Sequence, residues 1–106
     1  MVTTLWGRKS APISVTGAGT HEIVATVSGK KLAITKLLVF SDSAITVTVK
    51  DDGGTTIIGA VPLAANSGFV LPADGEEWGH SASGKSLQLT LSGAATVGGY
   101  VGYEEQ

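Results

Sequence analysis

Apolar and polar residues alternate along most of this chain. Leu87, Leu89 and Leu91 are separated by Gln88 and Thr90, with Ser86 just before them. A period of two places the three leucines on one face of an extended strand. A small-residue turn follows, and a second alternating run ends at Tyr103. Together the two runs read as an antiparallel hairpin with its leucine face in the core. Upstream, Ile45, Val47 and Val49 alternate with Thr46, Thr48 and Lys50. Asp51-Asp52-Gly53-Gly54 then predicts a hairpin turn, because Asp-Gly and Gly-Gly accept positive φ. Thr55 to Ala60 is the return strand, and Pro62 is expected to end it.

The stretch Lys31 to Ser41 breaks the simple alternation. Leu32, Ile34, Leu38 and Phe40 share one parity, and Ala33, Leu37 and Val39 share the other. A strand apolar on both faces is expected to be covered, at least in part, on both. Its β-branched residues and its short spacing to the next turns favour strand over helix. Earlier, Ile13 and Val15 form a short strand. His21 to Val27 forms another, with Ile23, Ala25 and Val27 on one face. Later, Phe69-Val70-Leu71 is a short strand stopped by Pro72. Residues 73–84 are the longest irregular stretch. The pattern predicts about eight short strands and no helix, which suits a sandwich or barrel. Immunoglobulin-like and jelly-roll orders both fit it. Residues 1–12 read as an N-terminal arm, with Pro12 interrupting any ladder, and residues 13–106 as a single domain.

Composition sharpens this picture in one respect. Only 15% of the 106 residues are charged, while mean hydropathy is +0.27 and Gly occurs 15 times. Two explanations stand side by side. Gly, Ser and Thr can cover a small sandwich with little charge, or part of the surface is buried in an assembly. The formal charge of −2 does not favour a nucleic-acid partner. There is no Cys, which removes disulfides and thiolate chemistry. No apolar run approaches the length of a membrane-spanning helix, and no secretory leader is evident, so a chain made in the cytoplasm with no membrane partner is expected.

Candidate chemistry is sparse. Asp74, Glu76 and Glu77 lie in one loop beside Trp78 and His80, where carboxylates next to an aromatic could hold a sugar or a cation. A solvated acidic loop with Trp78 tucked into the sandwich end explains the same residues. Asp51 and Asp52 lack the further oxygen ligands of a calcium loop. Gly17-Ala18-Gly19 is not a phosphate loop, since Glu22 stands where the third glycine is required and no helix follows. His21 and His80 are the only histidines. No Gly-x-Ser-x-Gly elbow occurs, so no catalytic or metal site is expected and no cofactor is implied. Trp6, Arg8 and Lys9 are the candidate partner-binding residues. An aromatic beside two cations can fill a pocket on another protein and make charge-assisted bonds there. Equally, Trp6 could cover the chain's own core. Tyr100 and Tyr103 fall on opposite strand faces, one predicted core and one surface.

Several segments, taken in order, resemble a family of small bacteriophage and prophage jelly-roll proteins. They are Val27-Ser28-Gly29-Lys30-Lys31-Leu32-Ala33-Ile34, Ala44 to Lys50, Pro62 to Gly68, Gly75-Glu76-Glu77-Trp78, Ser83 to Ser92, and Val97-Gly98-Gly99-Tyr100-Val101-Gly102-Tyr103. The likeness covers roughly residues 21–104; residues 1–20 carry none of it. It implies an all-β, eight-stranded antiparallel jelly-roll sandwich with an N-terminal arm, and a non-enzymatic role in the virion. The role implied is that of a capsid decoration (cement) protein on the capsid surface. It would be a homo-oligomer, typically a trimer, whose partner is the major capsid protein. The alternative is a carbohydrate- or receptor-binding module of a tail or head fibre, using Asp74, Glu76, Glu77 and Trp78. The resemblance brings no catalytic residues.

Overall fold

The computed structural model describes residues 8–73 and 77–106. Among them are nine strands and no helix: β1 (Arg8–Thr16), β2 (Gly19–Val24), β3 (Leu32–Ser41), β4 (Ile45–Asp51), β5 (Thr56–Leu63), β6 (Ser67–Leu71), β7 (Gly79–His80), β8 (Leu87–Leu91) and β9 (Thr96–Glu105). One sheet has the order β1-β9-β3-β6, with the two-residue β7 also paired to β3. The other has the order β2-β8-β4-β5. Every pairing is antiparallel.

The connectivity is that of a jelly roll. Leaving β7 aside, the first strand pairs with the last, the second with the second-last, β3 with β6 and β4 with β5. The chain is thus one long hairpin folded at Asp51–Thr55 and rolled so that its two halves supply both sheets. This order replaces the immunoglobulin-like alternative. It also corrects the expected closing hairpin. β8 and β9 are not paired with one another: β8 lies between β2 and β4, and β9 between β1 and β3. The short Ser92–Ala95 connection carries the chain across the sandwich instead of turning it back, so both strands are central and each needs two neighbours.

The core lies between the sheets. Leu87, Leu89 and Leu91 are buried as expected, against Val47, Val49, Leu37, Val39, Val97 and Val101. Other sequence expectations shift for physical reasons. β2 carries one extra residue between Glu22 and Val24, so Val24 is the buried position and the strand ends there; Ala25 is exposed. Pro62 does not end β5, which runs to Leu63. β5 is a sheet edge, where a missing N–H costs no ladder bond. Pro12 sits in β1, the other sheet's edge, opposite Tyr100. Residues 8–12, expected within the arm, are therefore the first half of β1, while residues 1–7 lie outside the described residues. In the long irregular stretch, β7 adds a short edge alongside Ala33 and Ile34.

Candidate interaction surface

β3 decides the character of the surface. Its pairing with β9 slips by one residue between Ile34 and Lys36, with Thr35 as the extra residue. Leu32 and Ile34 before the slip, and Leu37 and Val39 after it, therefore all enter the core. The remaining apolar residues after the slip, Leu38 and Phe40, are turned outward. The outer face of this sheet follows from the register. One row runs Pro12, Tyr100, Leu38, Val70 across four strands, and the next runs Ser14, Gly98, Phe40, Gly68. Phe40 is 52% exposed, Val70 58% and Tyr100 38%. The alkyl stem of Lys36 lies over Gly102, and its ammonium stands 5.2 Å from the centroid of the Tyr100 ring, a cation–π contact. Around these two rows the face is thus apolar and paved with glycine, with the Lys36 cation held down on an aromatic. Tyr103, on the other parity of β9, packs against the core, so the two tyrosines divide as expected.

The opposite outer face is different. Thr20, Thr90 and Thr48 form one row, and Glu22, Gln88 and Lys50 the next. The Thr20 and Thr90 hydroxyls are 2.9 Å apart and bonded. Thr90 is thus flanked by threonines and Gln88 by the opposite charges of Glu22 and Lys50.

One end of the sandwich is tied by a buried carboxylate. Asp51 is fully buried at the fold of the long hairpin. Its Oδ1 accepts from the N–H groups of Gly53 (2.9 Å) and Thr55 (3.0 Å), and its Oδ2 from that of Ala82 (2.9 Å). Burial alone would push this carboxyl up. The three N–H donors of Ala82, Thr55 and Gly53, with Lys85 nearby, outweigh it and hold the group below its usual range. Asp52 Oδ1 accepts from Ser86 N–H at 3.3 Å. The Asp51-Asp52 pair is therefore a hairpin turn, as read, and it also clamps the loop before β8.

The sequence-derived candidates are scattered. Trp6, Asp74 and Glu76 lie outside the described residues. Arg8 opens β1 opposite Glu104. Lys9 Nζ forms an ion pair with Glu105 Oε2 at 2.8 Å, so this candidate cation is already engaged within the chain. That contact raises the Lys9 pKa, first through the hydrogen bond and then through the charge of Glu105. Trp78 is 39% exposed and its indole N–H donates to the Pro72 carbonyl at 3.0 Å. Glu77 Oε2 is 3.9 Å from His80 Nε2, and His80 Nδ1–H donates to the Ser81 carbonyl at 2.8 Å. His21 is half-buried at the sheet edge and donates from Nε2 to the Gly17 carbonyl at 2.8 Å. Among the described residues no cluster of three or more His, Asp and Glu side chains could hold a metal ion. Residue-type reasoning missed Phe40, Leu38, Val70 and Tyr100 as a surface. The signal was present in the double parity of residues 31–41, but it was read as two covered faces.

No family model matches the chain, and no curated protein matches it. Among solved structures, a chain of a cyanophage Pam1 capsid asymmetric unit is similar at a TM-score of 0.62 and 18% identity. That match covers 92% of this chain and 84% of the other. A virus-like particle of the extra small virus of the giant freshwater prawn Macrobrachium rosenbergii gives a TM-score of 0.40 at 15% identity, covering 92% of this chain and 79% of that one. The first likeness supports the same all-β jelly-roll sandwich described above; the second is too distant to add to it.

Proposed function

We propose that this protein is a non-enzymatic structural protein of a bacteriophage virion, a capsid decoration (cement) protein that binds and stabilises the assembled head. The observation that carries this reading is the outward apolar face of the β1-β9-β3-β6 sheet, centred on Phe40, Leu38, Val70 and Tyr100. Its fold contributes nothing to the chain's own core through this face, and a face of this kind is stable in water chiefly when a partner covers it. The jelly roll shared with a chain of a phage capsid unit supports a virion setting. The partner is the major capsid protein, with the copies grouped as trimers, as the family resemblance implies. Residues 1–7, with Trp6, and the Arg8–Lys9 start of β1 add a second contact reaching a neighbouring subunit. Stabilisation works by mass action. Many copies that bind only the assembled lattice make its disassembly less favourable.

The test is co-sedimentation of the purified protein with mature empty capsids. Wild type is expected to sediment with them. Phe40→Asp combined with Tyr100→Asp is expected to stay in the supernatant while melting at an unchanged temperature. Removing residues 1–7, which leaves β1 whole, is expected to weaken binding. Trp78→Ala is expected to bind normally. Wild type that does not co-sediment, or a Phe40/Tyr100 variant that binds as well as wild type, overturns the reading.

A further inference from the structure

Four strands form the long edges of the two sheets, and three of them are guarded. β1 has Pro12 and the Lys9 charge. β2 has a bulge and Glu22. β5 has two extra residues against β4, and Pro62. Bulges, charges and prolines are the usual means of stopping another strand from adding to an edge. β6 has none of them. Ser67-Gly68-Phe69-Val70-Leu71 is uncharged, pairs with β3 from Leu37 to Ser41 with no register slip, and presents its other side as the end of the sheet.

We propose that the β6 edge pairs antiparallel with β6 of a second copy across a twofold axis through Phe69, joining the two β1-β9-β3-β6 sheets into one. The side-chain pattern makes this edge complementary to itself. Register centred on Phe69 sets Ser67 against Leu71 and Gly68 against Val70 of the other copy. On the outer face, Gly68 has no side chain to stand beside Phe40, its cross-strand neighbour in β3, and the β3 backbone at Val39 and Phe40 packs where a Cβ would be. Val70, the most exposed large apolar residue among those described, would pass over the side-chain-free Gly68 of the other copy and lie against its exposed Phe40. The same happens twice, once on each side of the axis. No charge is carried on either strand, so the symmetric approach brings no like charges together. Five residues span roughly 17 Å. An edge this short buries less than the roughly 800 Å² per partner of a stable complex, so the contact alone is weak and reversible. It joins copies in pairs, whether each is a single chain or a member of a larger ring.

This contact is read on the free protein and does not depend on capsid binding, so the two readings fail separately. Sedimentation velocity over a concentration series, up to millimolar protein, is expected to show a concentration-dependent association step, a doubling of mass where the particle is a single chain and growth to larger species where it is a ring with several such edges. Val70→Asp and Val70→Lys each place like charges diagonally across the axis, within reach of one another. Each is expected to weaken the step at least about tenfold through repulsion and lost apolar burial. An equal mixture of the two variants is expected to restore it, as a hybrid with opposite charges. Thr90→Lys, on the outer face of the other sheet, is expected to leave it unchanged. Melting temperatures of the variants control for folding. Absence of an association step in wild type, Val70 variants that associate normally, or a mixture that does not recover overturns the proposal.

Discussion

Asp51 is a fully buried carboxylate that accepts three backbone hydrogen bonds. Its carboxylate closes the hairpin at Gly53 and Thr55 and reaches across to Ala82, so one side chain ties two loops that are distant in sequence. Removing the charge leaves buried N–H groups poorly paired. Asp51→Asn is expected to cost about 2 kcal/mol, measured by urea denaturation. The sign of the pH effect follows from the lowered pKa. A carboxyl held below its unfolded value contributes fully above the ordinary carboxylate range. That contribution is lost as pH falls through the folded value. Wild-type stability should therefore decline on acidification in that range, and the Asn variant should decline less. A short distance away, Ser86 Oγ is buried with no hydrogen-bond partner. Ser86→Ala removes a desolvated hydroxyl at no loss of a bond, and it is expected to raise stability by up to about 1 kcal/mol. The roles of Asp51 and Ser86 are absent from local sequence: an aspartate before Asp-Gly-Gly reads as turn chemistry, and nothing nearby names Ala82 as its third partner.

Among the elements, the alternating strands were legible and the irregular ones were not. β4 and β8 keep strict alternation, and their valines and leucines are where period two puts them. β2 and β3 each hold one extra residue and β5 holds two, and a bulge leaves no mark in composition. It flips the parity of everything beyond it. Thr35 is the clearest case. Without it, Leu32 and Ile34 would face the side opposite to Leu37 and Val39. Deleting Thr35 is expected to expose two fully buried aliphatics, a loss of about 3–6 kcal/mol and a large part of a small domain's stability. Loss of the cooperative thermal transition in circular dichroism checks this. Pairing was less legible still. A four-residue connection of small residues suits a tight hairpin as well as a crossing between sheets, and only the need to bury the leucine face of β8 and to pair β9 along both edges decides it. The outward face around Phe40 went unread for a related reason. Its members come from four strands and share a row only once register is known.

At the scale of the whole molecule, a hairpin nested from its centre outward has mostly distant contacts. Each pairing outside the Asp51–Thr55 fold closes a longer loop than the one before it. Proteins dominated by such contacts fold in milliseconds to seconds. Stopped-flow refolding, followed by tryptophan fluorescence, is expected to fall in that slow range, well behind helical domains of similar length. The two outer faces also divide the labour of the surface. One is polar, with a threonine row in which the Thr20 and Thr90 hydroxyls are bonded and a neighbouring row of Glu22, Gln88 and Lys50. The other is apolar, with a cation laid on an aromatic ring. That asymmetry gives the molecule one outer face suited to an apolar partner and one suited to water.

The outermost pairing sets Arg8 beside Glu104, and Lys31 exchanges two backbone bonds with Gln106. The chain therefore enters and leaves the sandwich at the same corner. A peptide joined directly ahead of Arg8 and one fused after Gln106 would leave the fold side by side. A displayed cargo could be moved between those two points with little change in where it stands.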